Sequence, residues 1–219
     1  MERTIRIKGT GKAKTRPDTV EIPMVVEGSG QKYEDAVEMA AQFVNVLRGR
    51  LEKVGFPAEA LKTVSYDIDE ETRSEKDKHG NYKTIFVGFR CTHRLKLELD
   101  FDSGRLGETL NAVASSGVNP DLRVKFLVKN REGVVAEMLR TAAIDANVKA
   151  LVLCNALGVK LGKLLSIDYS WGEIDLYSHT NYECDDYICC ESAPVYSSMA
   201  IEPEDVETED TVTFIWEIE

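Results

Sequence analysis

The side chains with the most chemical potential cluster near the C-terminal end: His179, Cys184, Cys189 and Cys190, interleaved with Asp185 and Asp186. Imidazole and thiolate are the ligands that suit zinc, and a thiol is also the group that redox chemistry needs. Structural zinc sites, however, draw on cysteine pairs separated by about two to four residues, usually two such pairs. Here the gaps are loose, and the adjacent Cys189 and Cys190 splay apart. The expectation is a loop with incidental cysteines and no bound metal.

Two glycine-rich stretches invite a phosphate-binding reading. A phosphate loop would need glycine where Arg6 stands ahead of Gly9-Thr10-Gly11-Lys12, and Ser or Thr in place of Ala13. A dinucleotide loop at Gly28-Ser29-Gly30 would need a third glycine at Tyr33. Neither pattern is complete, so no cofactor is expected, and glycines in strands that permit a bulge are the ordinary reading. His93 lies on the apolar side of a long alternating run and reads as a hydrogen-bonded core or interface histidine. No Ser or Cys elbow stands near it in sequence to make it a catalytic base.

Tyr177, Tyr182, Tyr187 and Tyr196 punctuate the acidic stretch 172–205. Large amphipathic rings are what contact surfaces use. With His93 and Trp216 they are the candidate interaction residues.

The elements that must position these groups follow from periodicity. Val20, Ile22, Met24 and Val26 alternate as a strand, with Pro23 suggesting an edge or a bulge. Tyr33, Ala36, Val37, Ala40, Phe43, Val44, Leu47, Leu51 and Val54 form one helical stripe that stops at Gly55-Phe56-Pro57. Asp102 or Ser103 starts a second helix carrying Leu106, Leu110 and Val113, ending at Gly117. Asn130 starts a third, carrying Val135, Met138, Leu139, Ala142, Ala146, Leu153 and Leu157 and ending at Gly158. Residues 63–73 and 82–99 predict one long β-hairpin, with an odd-numbered apolar face from Ile85 to Leu99 and a charged tip. Later strands are Leu122/Val124/Phe126/Val128, Leu165/Ile167/Tyr169/Trp171 and Val212/Phe214/Trp216/Ile218. The order ββα-ββ-α-β-α-ββ predicts an α+β, two-layer sandwich of mainly antiparallel sheet and three helices. Residues 1–219 read as one unit of two lobes, with 172–205 an acidic insert before the last strand.

Charge narrows the partners. The chain has 27 Lys and Arg against 38 Asp and Glu, and residues 164–219 carry 15 of the acids and no base. That leaves about +4 ahead of a −15 segment, which would repel phosphate backbones, so no nucleic-acid partner is expected. No apolar run reaches the length of a membrane span. The start, Met1-Glu2-Arg3-Thr4, leads straight into alternating strand residues rather than a secretory signal. Together with an odd count of 5 cysteines, this points to the cytoplasm.

Four segments in register carry a resemblance. They are Gly9-Thr10-Gly11 to Arg16-Pro17-Asp18-Thr19-Val20; Gly55-Phe56-Pro57 to Leu61-Lys62-Thr63; Gly88-Phe89-Arg90-Cys91 to Leu95; and Ala156-Leu157-Gly158-Val159-Lys160-Leu161-Gly162-Lys163. Over all but residues 172–205 the chain resembles the SIMPL-domain (YggE-like) family. The resemblance implies an α/β protein, often exported in bacteria, one relative being a periplasmic immunogen that assembles into large oligomers. It supplies no catalytic residues. The chain differs from it in lacking an export signal and in its acidic insert.

Three functions are compatible with these features. The first is a non-enzymatic homo-oligomeric assembly protein, with a possible protein partner. It would associate through the hairpin, or by setting the acidic end against the basic start of another copy. The second is a metal- or thiol-dependent enzyme using the 179–190 cluster. The third is a small-ligand binder in a cleft between sheet and helices.

Overall fold

In a computed structural model the described residues are 3–76, 81–169, 176–180, 182–184 and 201–219. Strands β1 (Thr4–Thr15) and β2 (Thr19–Gly30) are followed by helix α1 (Tyr33–Lys53). Strands β3 (Lys62–Lys76) and β4 (Tyr82–Asp100) form the long hairpin, paired antiparallel from Lys62↔Lys96 to Lys76↔Tyr82. Helix α2 (Ser103–Ala114), β5 (Asp121–Leu127), α3 (Arg131–Leu157), β6 (Leu161–Asp168), β7 (Tyr182–Cys184) and β8 (Val206–Ile218) complete the chain. The expected α+β order holds, with β7 added inside the acidic insert.

Helices α2 and α3 start on a side-chain oxygen that takes up an orphan amide, whereas α1 starts at Lys32 without a side-chain cap. Asp102 caps α2 by accepting the Arg105 amide at 2.7 Å, and Asn130 caps α3 by accepting that of Gly133 at 2.9 Å. Gly158 closes α3 in the left-handed region at φ 69, while the Val159 amide returns to the Cys154 carbonyl at 3.0 Å. A glycine in that conformation is the common helix stop. At the end of α1, the Phe56 amide returns in the same way to Leu51, and Phe56 folds into the core.

The chain divides into two compact units. The first comprises Met1–Asp18, Leu127–His179 and Pro203–Glu219. Its sheet runs β1-β8-β6, with β8 antiparallel to both neighbours. Helix α3 covers it, packing Ala142, Ala146 and Ala150 on Ile7, Val212, Phe214 and Trp216. The register of β1 against β8 is unbroken, so Gly9 and Gly11 make no bulge. They instead admit the helix: a Cβ on either would overlap the backbone of Ala142 or Met138. The terminal strand β8 is covered by α3. Leu153 and Leu157, by contrast, lie outside that core and are exposed.

The second unit comprises Thr19–Phe126 and Thr180–Glu202, with sheet order β3-β4-β2-β5-β7. Helices α1 and α2 bury Val44, Leu47, Leu51, Leu106, Leu110 and Val113 against Ile22, Met24, Leu95, Leu97 and Phe126. Strand β2 is interior, not an edge, and its pairing with β4 runs unbroken through Pro23↔Lys96. The flanking pairs therefore hold the register although proline has no N–H to donate.

The hairpin departs from strict alternation at two places. Val64 is an extra residue between Thr63↔Leu95 and Ser65↔Arg94, and Val87 is another between Glu71↔Gly88 and Thr72↔Phe86. A one-residue bulge shifts which side chains share a face. The continuous apolar face thus starts at Phe89 rather than Ile85, and the Phe86 ring, not Val87, meets Phe89 at 5.3 Å.

Candidate functional site

A cluster of partly buried polar side chains in the second unit lies where α1 meets the hairpin. Tyr66 on β3 is the register partner of His93 on β4, and Ile68 likewise opposes Cys91. Partners in register project their side chains from one face of the sheet. The Tyr66 and His93 rings meet edge to face at 5.0 Å. His93 Nε2 lies 2.8 Å from Thr63 Oγ1. The Tyr66 hydroxyl reaches inward to the sulfur of the fully buried Cys91. That hydrogen bond first, and burial second, push the phenol up to about 12.

Arg48 completes the group from α1. Burial lowers the His93 pKa from its ordinary value, and the positive charge of Arg48 lowers it further, so the ring is held neutral. Two nitrogens here are buried without a hydrogen-bond partner, Arg48 Nε and His93 Nδ1. Among the described residues no carboxylate pairs with Arg48. Sequence reasoning found His93 but passed over Arg48. The available signal was its place in the helical stripe, four residues after Val44 and three before Leu51, where an apolar residue would fit.

A second feature is apolar and belongs to the first unit. Helix α3 buries Met138, Ala142, Ala146, Ala150 and Cys154 on one side. Its opposite side presents Ile144, Val148, Leu151 and Val152, all exposed. Asn155 continues the row of Ile144, Val148 and Leu151, which carries no charge, while Asp145, seven residues before Val152, lies at its margin. The only charged side chains between Ala143 and Leu157 are Asp145 and Lys149, which pair at 2.6 Å. Beside the helix, Leu164 opposes Trp216 and Ile167 opposes Phe214 across β6 and β8, and Leu164 and Ile167 are exposed at the sheet edge.

The other residues singled out from sequence are dispersed. Trp216 is core, stacked on Phe214 at 5.5 Å beneath α3. Burial removes it from any contact surface. Tyr177 is exposed and bridges Leu127, and His179 is exposed. Cys184 and Tyr182 lie in β7 opposite Leu122 and Val124, with side chains outside the described residues. Tyr187, Cys189, Cys190 and Tyr196 lie outside the described residues altogether. Among the described residues no group of three His, Cys, Asp or Glu side chains could hold a metal. Gly28 packs on Ala36 and Ala40 of α1, which makes it a close-approach glycine.

The basic start meets the acidic end within the chain. Lys12 pairs with Glu209 at 3.0 Å, and Lys14 pairs with Glu207 at 2.5 Å and Asp205 at 3.5 Å. These pairs are solvent-exposed and add little stability, but they neutralise the charges that an acidic-to-basic contact between copies would use.

No helix among the described residues is long and apolar enough to cross a membrane. The chain is 22% identical over 163 residues to the 26 kDa periplasmic immunogenic protein of Brucella abortus (strain S19). That match covers 74% of this chain and 65% of the relative's length. The profile of the SIMPL family, described as a protein of unknown function (DUF541), matches residues 5–216. With two antiparallel sheets, three helices and a family match across nearly its full length, the chain belongs to the SIMPL family.

Proposed function

We propose that the protein is a non-enzymatic assembly protein whose partner is a second copy of itself, bound through the outer side of α3. The observation that carries this reading is the uncharged stripe Ile144, Val148, Leu151 and Asn155. Its spacing of four, three and four residues is the seam repeat of paired helices. A solvated helix side normally carries charged residues, and one that is apolar all round is normally buried.

Strand addition is the competing route to self-association, and the sheet edges oppose it, since charge and bulges both blunt an edge. β1 exposes Arg6, Lys8, Lys12 and Lys14; β3 is rich in Asp and Glu and bulges at Val64; β6 has two register shifts against β8. A helix-to-helix contact needs no free edge. Exposed aliphatic residues of α3 and β6 belong to the same unit and add to the apolar surface open to such a contact. A two-fold axis would place the same stripe on both sides. Without charges in the stripe there is no repulsion across it, despite the net charge of −11.

The test is mass in solution at low salt and at 1 M salt. A dimer or larger species in both buffers is expected, because an uncharged contact is not screened. Val148→Lys should convert it to monomer while leaving the far-UV spectrum unchanged. A 24.5 kDa monomer for the unaltered chain in both buffers, or association untouched by Val148→Lys, overturns the proposal.

A further inference from the structure

β1 is an edge strand, since its sheet runs β1-β8-β6. Backbone groups on its outward side are nevertheless taken up, by one row of side chains on α3. The Thr10 amide donates to Asp145 Oδ2 at 2.7 Å, and the Lys12 amide donates to Thr141 Oγ1 at 3.0 Å. Lys149 Nζ donates to the Lys8 carbonyl at 3.4 Å. Thr141, Asp145 and Lys149 are each four residues apart, and Lys12, Thr10 and Lys8 each two. Four helical residues rise about 6.0 Å and two strand residues about 6.8 Å, so the helix row keeps step with alternate positions of the strand. Two acceptors meet two amides and a donor meets a carbonyl, which is what a neighbouring strand would supply. Between them Gly9 and Gly11 oppose Val212 and Asp210 of β8. Without side chains they let α3 approach until the short side chains of Asp145 and Thr141 reach the edge.

From this register we infer that Thr141, Asp145 and Lys149 act as a surrogate strand that closes the edge of β1 against strand addition by a second copy. The inference is independent of the outer, apolar side of α3. A free edge is a template for another chain. Thr141 suits its place, because its single hydroxyl proton lies 3.0 Å from the Glu137 and Met138 carbonyls of its own helix, closer than the Lys12 carbonyl at 3.2 Å. A lone pair is thereby left for the strand amide. Lys149 Nζ also pairs with Asp145 at 2.6 Å, which holds the two charged members in line. Charge adds a second barrier. Two copies of β1 paired antiparallel about Thr10 would set Lys8 against Lys12 and Arg6 against Lys14, and like charges directly opposite repel. An opened edge should therefore pair where salt screens those charges, the screening length being about 3 Å at 1 M.

The experiment compares the Val148→Lys chain with the same chain also carrying Thr141→Val, Asp145→Ala and Lys149→Ala. Both then carry the same block to association through the outer side of α3. Amide hydrogen exchange is read first, in dilute protein at low salt. Thr10 and Lys12 should exchange about fivefold faster or more in the opened chain. Gly9 and Gly11, which face β8, should keep their protection, and the far-UV spectrum should not change. Thr141→Ser and Asp145→Asn, which keep an acceptor, should retain most of the protection at Lys12 and Thr10. In concentrated protein at 1 M salt the opened chain should form a larger species than its reference, and Thr10 and Lys12 should regain protection as strands pair. If the triple change loosens the sheet, Thr141→Val alone, read at the Lys12 amide and by mass at 1 M salt, decides the matter. Unchanged exchange at Thr10 and Lys12 overturns the inference. So does faster exchange with no larger species at 1 M salt, or a larger species in which these two amides stay unprotected.

Discussion

The carboxylate of Asp145, on the middle of α3, accepts the backbone amide of Thr10 on β1 at 2.7 Å across 135 residues of sequence. Lys149 steadies the same carboxylate at 2.6 Å. Thr141 adds a neighbouring clasp, receiving the Lys12 amide at 3.0 Å. Helix α3 is thus tied to β1 by named polar bonds as well as by its alanine stripe.

Asp145→Ala should destabilise the protein by about 1 kcal/mol, the net worth of a bond of this kind where water can reach it. Its carboxyl is held below the ordinary aspartate value, by Lys149 first and the Thr10 amide second. A lowered folded value means the contribution is present above about pH 4, the unfolded value. It is lost as pH falls through the folded one. Urea unfolding of both proteins at neutral pH and near pH 3 should show the difference shrinking in acid.

Gly9→Val should cost about 3 kcal/mol, because its Cβ would occupy the Ala142 carbonyl and α3 must lift to make room. A urea midpoint within error of the unaltered protein would contradict the close approach of helix and strand.

Gly49 offers the opposite case. It lies inside α1, and an added Cβ meets nothing within 4 Å. Gly49→Ala should therefore stabilise by about 0.5–1 kcal/mol by restricting the unfolded chain. Thermal and urea unfolding check the sign, which a hidden clash would reverse.

His93 sets a second pH dependence. Its folded pKa lies below the ordinary histidine value, through burial and then the charge of Arg48. The folded state therefore disfavours the protonated ring, and stability present above about pH 6.5 falls as pH drops through the folded value. Relative to His93→Gln, the unaltered protein should lose stability between pH 7.5 and pH 5. A constant difference over that window would show that the ring is not buried as described.

Three helices, the caps of α2 and α3, and the glycine ends were legible in the sequence, because each rests on residues within a few positions of one another. Asp102, Asn130 and Gly158 behave as local chemistry requires. The long hairpin was legible for the same reason, down to the alternation of Phe89 through Leu99. What only tertiary structure decided is every property that depends on residues distant in sequence. A bulge at Val87 is invisible in a run that alternates on both sides of it, since the extra residue exists only relative to β3. Gly9 and Gly11 looked like bulge or phosphate residues because nothing local says that α3, far later in the chain, lies against them. Trp216 looked like a contact residue because the helix that covers it is remote from it in sequence, with β6 and the acidic insert between. The same rule governs the two candidate sites. Arg48 is one polar residue in an apolar stripe until the fold sets it beside His93. The outer side of α3 is ordinary apolar sequence until Ala142, Ala146 and Ala150 are seen to take the sheet, leaving Ile144, Val148 and Leu151 uncovered. Helical periodicity says which residues share a side; only packing says which side finds a partner.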